Sequence, residues 1–508
     1  MTRKGTTSKD TFTSLLSLAL FLALGVFAPL RAETESPKDV DQIFDELGAQ
    51  FGAQPAQVRL ITENVDAWYA RWYVLGGAKR TIDTTYYMID NDIFGRSFLG
   101  MLYKKAKEGV KVRLMVDARG TQQLARTFLG QDILQEMAEN KNIEIRIYNP
   151  ILKALLRMPL DIRSAIASNH DKLLIVDGEW LVTGGRNVTK SYFADRSDEP
   201  DAFRDTDVLV HGGSTPAAAR TAFEEEWVKP SNTVVTKDWF GNWVQRRLDL
   251  DLACRAMNSH MLGLSTVNAP DLKLGPKLAE VQAELDPFQK QRAFSGWQPF
   301  NGERAYPVLL LDKHSLYRND RNDISENLMK LFDAAKTEIL IQNPYVVLTT
   351  GARAALKRAS DRGVDIIINT NSPESTDVVL TQAIFVREWK QLLAEIPRLH
   401  IFALEGHNKL HAKVFVVDRK LSLIGTYNMD SLSEDINSEE VAVVKSAPFA
   451  LMNWNRIQAD IKGSVEYKIR VDAQGKIEQL VGPSDHVEKE ALQSVERLGW
   501  LAFLRPLI

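Results

Sequence analysis

Apolar and polar positions along the chain switch repeatedly between a period of two and a helical period. From Thr81 an apolar run, Ile82 to Ile89, predicts a strand, and a helical segment follows around Phe98 to Lys107. A second strand is expected over Val110 to Val116, then a helix around Gln122 to Glu139 and a third strand over Ile143 to Tyr148. The same order returns from Thr337: strand Ile339 to Gln342, helix Ala352 to Ser360, strand Val364 to Ile368, helix Gln382 to Glu395 and strand Leu399 to Leu404. Strands that alternate with helices imply an α/β protein with parallel pairing in each half and helices covering the sheet. The recurrence implies two similar lobes.

The stretches outside the two rounds set the expected boundaries. Residues 1–32 begin with Arg3, Lys4 and Lys9 and continue in an uncharged run from Thr11 to Leu30, the pattern of a signal peptide or an N-terminal anchor. Ala32 offers a small residue for cleavage, whereas Leu30 fits the position two before it poorly. Both readings place the body outside the cytoplasm, in the periplasm and attached to the inner membrane if the segment is kept. Residues 33–241 are read as the first lobe, 242–300 as a connector packed on the pair, 301–455 as the second lobe and 456–508 as a tail. The tail holds a strand over Val465 to Val471, a turn at Asp472 to Gly475 and an amphipathic end from Ala491 to Ile508. A helix docked on the core and a helix lying on a membrane surface are both consistent with that end, which carries Trp500 between Arg497 and Arg505.

Composition narrows the chemistry. The 508 residues include 44% apolar and 25% charged positions, enough for a large core, and the formal net charge of −3 gives no sign of a general nucleic-acid-binding surface. Cys254 is the single cysteine, so an intramolecular disulfide and a multi-cysteine zinc site are excluded. No H-E-x-x-H, Walker, nucleophile-elbow or dinucleotide-binding pattern occurs. No cofactor and no metal are expected.

Each half ends in one local pattern. The first reads His170-Asp171-Lys172, four apolar residues Leu173 to Val176, Asp177, then Gly184-Gly185-Arg186-Asn187. The second reads His411-Ala412-Lys413, four apolar residues Val414 to Val417, Asp418, then Gly425-Thr426-Tyr427-Asn428. Alternate positions place His and Lys on one side of a strand, and the apolar run after them has the character of a strand buried on both faces. A lone histidine beside an apolar strand is usually a packed core residue and a lone lysine usually a solvated one. Duplication of the whole pattern at the same place in two halves argues against both readings. Asp177 and Asp418 each start a tight turn, so a turn-forming role stands beside a chemical one.

The doubled His-x-Lys-(x)4-Asp resembles the signature of the phospholipase D superfamily. Thr84-Thr85-Tyr86-Tyr87, Gly184-Gly185-Arg186-Asn187 and Arg204-Asp205-Thr206-Asp207-Val208 extend the resemblance to the bacterial cardiolipin synthases, class C branch, whose members also share a strand-turn region like Val471 to Gly475. The resemblance implies two phospholipase D-type lobes related by a pseudo-twofold axis, each a mixed, mostly parallel sheet flanked by helices. It also implies phosphatidyl transfer through a covalent phosphohistidine, with His170 as nucleophile and His411 as acid, the reverse order remaining open. Lys172, Lys413, Asn187 and Asn428 would supply donors to the phosphoryl oxygens. Glu439 and Asp205 stand where the superfamily places histidine-orienting carboxylates, with Glu440 and Asp207 as close competitors. Phospholipids and a membrane surface are the implied partners, and no stable nucleic-acid partner is expected. Thr426 departs from the usual serine, and Gly212-Gly213 from a usual Gly-Pro. A hydrolytic phospholipase D and a metal-independent phosphodiesterase or nuclease of the same fold are the alternatives. A catalytically silent scaffold would require a broken motif.

Overall fold

Strand Lys172–Val176, which carries the first motif, is buried along its whole length, and its two faces meet different partners. Leu174 and Val176 join the core of the first lobe's helices. Leu173 and Ile175 join a core that also contains Val414, Val416 and Ile424 of the second lobe. In the second lobe Phe415 and Val417 face their own helices while Val414 and Val416 face the first lobe. The continuous apolar runs therefore reflect strands sandwiched between a helical layer and the opposite sheet. Each fully buried Val, Leu or Ile contributes about 1.5–3 kcal/mol, so this shared layer fixes the lobes against one another.

The computed structural model describes residues 38–121, 124, 133–159, 162–236, 246–264, 275–315 and 321–507. In the first lobe the strands lie in the order Thr233–Val234, Ile143–Tyr148, Lys111–Asp117, Thr81–Tyr86, Lys172–Val176, Trp180–Gly184, Asp207–His211 and Gln54–Ile61. The second lobe repeats the order with Ser464–Val471, Leu399–Leu404, Asp365–Thr370, Glu338–Gln342, Val414–Val417, Leu421–Gly425, Glu439–Lys445 and Ala305–Lys313. Gln54–Ile61 pairs with Ala305–Lys313 and joins the two. Both sheets are mixed. Among these strands, parallel pairing is confined to the three of each strand–helix alternation. The antiparallel share is larger than that alternation alone suggests, because the turns at Asp177-Gly178 and Asp418-Arg419 are too short for a crossover and force hairpins.

Several sequence-drawn bounds shift. The first strand ends at Tyr86, with a single further bridge from Ile89 to Val188. The helix after it starts at Ile93, capped by Asp92, whose side chain accepts from the Gly95 amide. Of the helix expected over Gln122 to Glu139, the described part is Ile133–Met137; the rest lies outside the described residues, as does the whole of 1–32. Helix Val40–Phe51, drawn with the first lobe, packs instead on the second. Its apolar stripe of Val40, Ile43, Phe44 and Leu47 shares a core with Leu328, Leu331 and Phe332. Of the segment 242–300, helix Arg246–Met261 packs on the first lobe's helices: Ser97 Oγ donates to the Ala253 carbonyl at 3.0 Å, and Trp72 Nε1 to Asn258 at 3.2 Å.

The C-terminal end forms helix Lys489–Glu496 and a 3₁₀ segment Gly499–Leu507. Arg387 donates to the Gly499 carbonyl at 3.1 Å and Arg505 to Glu388 at 2.8 Å, so this end is docked on helix Val379–Glu395 while Trp500 and Phe503 stay exposed. Among the described residues no helix is long and apolar enough to cross a membrane.

Candidate active site

The two histidines sit just before their motif strands, not within them as the alternation suggests. Each stretch is clipped to the opposite lobe. Asn169 bridges to Ser438, and Leu410 bridges to Arg204. The His170 amide donates to the Ser438 carbonyl at 3.1 Å, and the His411 amide to the Arg204 carbonyl at 2.8 Å. Ser438 precedes Glu439, and Arg204 precedes Asp205. The backbone pairing thus delivers each carboxylate to the imidazole of the other lobe. His170 Nδ1 lies 3.0 and 3.1 Å from the Glu439 oxygens, and His411 Nδ1 lies 2.8 Å from Asp205 Oδ2. A carboxylate at Nδ1 holds that proton and turns Nε2 toward the reacting groups.

Nearby glycines make the approach possible. A Cβ on Gly185 would run into the Asp205 carboxylate, so the glycine of the second turn is a steric requirement of the first-lobe acid. Thr426, in the matching second-lobe turn, accepts from the Glu440 amide at 3.0 Å through its hydroxyl.

Charge is concentrated where water is scarce. Burial pushes the His170 imidazole down to about 4, against the opposing pull of Glu439, and Lys172 and Lys413 add to the depression. His411 is also lowered, by burial and then Lys413, with Asp205 opposing. Burial would raise Asp205 and Glu439, but their imidazole and lysine neighbours outweigh it and both are held below the usual carboxylate range. Lys413 is pushed down to about 7 by burial, with Asp205 opposing and Lys172 reinforcing. Its Nζ lies 2.8 and 2.9 Å from the ring nitrogens of His411. Lys172 Nζ donates to the His170 carbonyl at 2.6 Å and is lowered by burial. The influence of Lys413 on His170, and of Lys172 on Lys413, places the two motifs in one electrostatic centre.

The remaining candidates separate by position. Asn187 accepts from the Met88 amide at 3.2 Å and donates to the Tyr192 hydroxyl at 3.3 Å. Asn428 is buried, with its side-chain oxygen unpartnered. Glu440 faces away from the imidazoles and accepts from the Lys172 amide at 2.9 Å and Thr183 at 2.7 Å. Asp207 is paired with Arg71 at 2.8 Å and Arg186 at 3.3 Å.

The motif aspartates lie at the far ends of their strands, about 16 Å along the chain from the lysine at ~3.3 Å per residue. Asp177 accepts from the amides of Lys79, Arg80 and Thr81, and Asp418 from those of Lys336, Thr337 and Glu338. Both have positive φ, 55° and 51°. They serve the turns, and no contact joins them to the reacting groups, which corrects their inclusion among catalytic candidates.

Four residues at the site were not among the sequence-derived site candidates, although Tyr87 lies in a segment that carries the resemblance. Tyr87 sets its ring edge against His170 at 5.4 Å between centroids, and Tyr192 and Phe203 do the same for His411 at 5.2 and 5.5 Å. Ser433 donates to Glu439 at 2.6 Å and accepts from the Asn428 amide at 3.1 Å. The available signal was weak, since an aromatic or a serine outside a motif has no distinguishing spacing.

Away from this centre, His314 Nε2 lies 2.6 Å from Asp312 and 3.4 Å from Glu225. Burial lowers His314, but Asp312 outweighs it and the net shift is upward, as for an imidazole paired with a carboxylate.

Two lobes of one design, clipped so that each supplies the carboxylate for the other's histidine, define an enzyme built for displacement at a phosphodiester. The family model described as "Cardiolipin synthase, PLD-like domain" matches residues 73–227 and 328–461, more than half of the chain. The protein belongs to this family, and so to the phospholipase D superfamily of enzymes. It is 28% identical over 462 residues to cardiolipin synthase C of Escherichia coli K12, covering 86% of this chain and 90% of that one. It is 26% identical over 447 residues to cardiolipin synthase 1 of Bacillus anthracis, covering 88% and 74%. Among solved structures, phosphatidylserine synthase of Haemophilus influenzae Rd KW20 superposes with a TM-score of 0.59 at 13% identity, over 92% of this chain and all of that one. That likeness is one of fold.

Proposed function

We propose that the protein is a phospholipase D-type phosphatidyltransferase that makes cardiolipin from phospholipids through a covalent phosphohistidine. The reciprocal pairing of His170 with Glu439 and His411 with Asp205 carries this reading. His170 Nε2 attacks the phosphorus of a donor phospholipid, the P–N bond forms, and the bond from phosphorus to the headgroup oxygen breaks. His411 gives its proton to that oxygen, and the headgroup alcohol leaves. A second lipid's hydroxyl then enters from the same side, His411 takes its proton, a new P–O bond forms and the P–N bond breaks. Lys172, Lys413, Asn187 and Asn428 meet the charge gathered on the phosphoryl oxygens.

His170, held neutral well below physiological pH, suits the nucleophile, and Asp205, held strongly anionic, suits a partner for the imidazolium of His411. The chain spans most of the length of cardiolipin synthase C, which supports lipid donor and acceptor alike. The charge pattern of residues 1–32 supports a body on the periplasmic side, attached to the inner membrane.

Purified protein incubated with phosphatidylglycerol and phosphatidylethanolamine vesicles should yield cardiolipin. Phosphatidic acid as the sole product would assign hydrolysis instead, and no lipid product with degradation of single-stranded DNA would assign a nuclease. Short-time samples of a His411→Asn variant, quenched in alkaline denaturant to preserve the acid-labile P–N bond, should carry the mass of one phosphatidyl group on the peptide containing His170. That mass on the His411 peptide of a His170→Asn variant would reverse the roles.

A further inference from the structure

We infer that the mouth of the active site is a two-sided membrane-docking face, formed by the apolar residues of helices Ile151–Arg157 and Ile162–Ile166 on one rim and by Val378, Val379, Trp500 and Phe503 on the other. The partner is the surface of a phospholipid bilayer. This inference rests on the proposed reaction for its choice of lipid as the occupant.

The first rim is helix Ile151–Arg157 with the turn that follows it. Ile151, Leu155, Met158 and Ile162 are exposed, and Leu152 and Leu156 reach 73% and 74%. Ala154 is the buried side of the helix, so the apolar surface points outward, opposite to the arrangement of an ordinary surface helix. Soluble monomers seldom leave a contiguous patch of this kind uncovered. The residues that flank these two helices are fixed beside the catalytic strand. Arg119 donates to the Ala167 carbonyl at 2.9 Å, Asn149 donates to the same carbonyl at 2.7 Å, and the Ser168 amide donates to Asn437 at 3.1 Å. His170 follows two residues later. Between the short helices Ile151–Arg157 and Ile162–Ile166 lies an apolar trough of about 330 Å³, wide enough to admit part of an acyl chain.

The second rim comes from the other end of the chain. Trp500 and Phe503 are 69% and 67% exposed on the 3₁₀ segment, whose Leu504 packs into the same small core as Val347 and Ile384. Val378 and Val379 follow Asp377, whose charge acts on both His411 and Lys413. The two rims meet at the π turn Leu432–Ile436, which neighbours both helix Ile162–Ile166 and segment Gly499–Leu507. Ser433 of that turn bonds Glu439. The apolar rims therefore converge on the element that holds a catalytic carboxylate. A protein or a second copy seated across both rims would plug the site between them. A fluid lipid surface covers both and delivers the substrate at the same time, and a tryptophan at the rim suits the headgroup layer.

Cys254 is buried and its thiol is pushed up to about 12, so the full-length chain can be labelled at single introduced cysteines. Leu156→Cys and Phe503→Cys, each carrying an environment-sensitive fluorophore, should both shift to the blue on adding phosphatidylglycerol/phosphatidylethanolamine vesicles. Lys336→Cys, at the far end of the second motif strand beside Asp418, should not. This pattern is independent of any anchoring by residues 1–32. A shift at only one rim, at neither, or equally at Lys336→Cys would overturn the proposal. So would a shift that needs no vesicles and grows with protein concentration, which would give the face to self-association.

As a second arm, Leu152→Ser/Leu156→Ser and Trp500→Ser/Phe503→Ser should each lose tenfold or more of vesicle activity and keep turnover of a soluble short-chain phosphatidyl substrate. Wild-type vesicle activity in either double variant would equally sink the inference. Failure of the wild type to act on any lipid would instead count against the proposed reaction.

Discussion

Asp205 of the first lobe holds Nδ1 of His411 of the second at 2.8 Å, and two positions further on Asp207 is locked between two buried arginines. The pair separates chemistry from architecture within three residues. Asp205→Asn keeps the shape and removes the charge that favours an imidazolium at His411. We expect kcat to fall by about 10²–10⁴ with the folded state intact, the range for loss of an effective general acid. Asp207→Asn leaves Arg71 and Arg186 without their anion, and stability should fall by about 3–5 kcal/mol in denaturant titrations. Loss of kcat with unchanged stability in Asp207→Asn would contradict this division.

The strand–helix alternation and the doubled motif were legible in the sequence because both are local patterns repeated at fixed spacing. The exchange of carboxylates was not. Glu439 lies 269 positions from His170, and nothing in either motif says which imidazole it meets. The resemblance already favoured Glu439 over Glu440, and the pairing of Ser438 with Asn169 gives the physical reason, turning one side chain toward the site and the next toward Lys172 and Thr183. The placement of helix Val40–Phe51 was hidden for a similar reason. Its apolar stripe fixes which face is buried and leaves open which lobe buries it.

The motif aspartates should behave as turn residues. Asp177→Ala and Asp418→Ala each remove an acceptor for three backbone amides and place alanine at a positive φ. Each should cost about 1–3 kcal/mol and lower the melting temperature, with kcat on short-chain substrate within about threefold of wild type below the transition. A hundredfold loss of kcat in a fully folded variant would return these residues to the chemistry.

The pH dependence of kcat/KM follows from groups in the free enzyme. His170 must be neutral to attack, and its imidazole is pushed down to about 4, so activity should rise as pH climbs through that value and be insensitive to pH near 6.5 on this limb. His411 must be protonated to release the headgroup and is lowered from its ordinary value of 6.5 by burial, so activity should already decline as pH approaches that value, and loss of the Lys413 charge at about 7 should steepen the decline. Lys413→Arg, which stays protonated, should lower the maximum and leave the shallower decline of His411 alone. An alkaline limb of unchanged steepness in Lys413→Arg would show that Lys413 takes no part in it.

Glu440 and Asp171 form a buried carboxyl pair behind Lys172, and burial raises both, Glu440 to about 7. A carboxyl whose folded value lies above its ordinary value of 4.5 stabilises the fold fully below that ordinary value. The contribution is then lost as pH rises through the folded value. For Glu440 the window runs from about pH 4.5 to 7, and the amount at stake is on the order of 3 kcal/mol. Glu440→Gln is neutral throughout and can still accept from the Lys172 amide and Thr183. Its melting temperature relative to wild type should therefore increase between pH 5 and pH 7 and level off above that, measured by calorimetry in matched buffers. His170 works in the opposite sense, its depressed value removing stability as pH falls from about 6.5 toward 4, but it is present in both proteins and cancels in the difference. A difference that stays flat across the range would mean that the pair holds no proton at neutral pH, and that Lys172 and its neighbours neutralise two charges there.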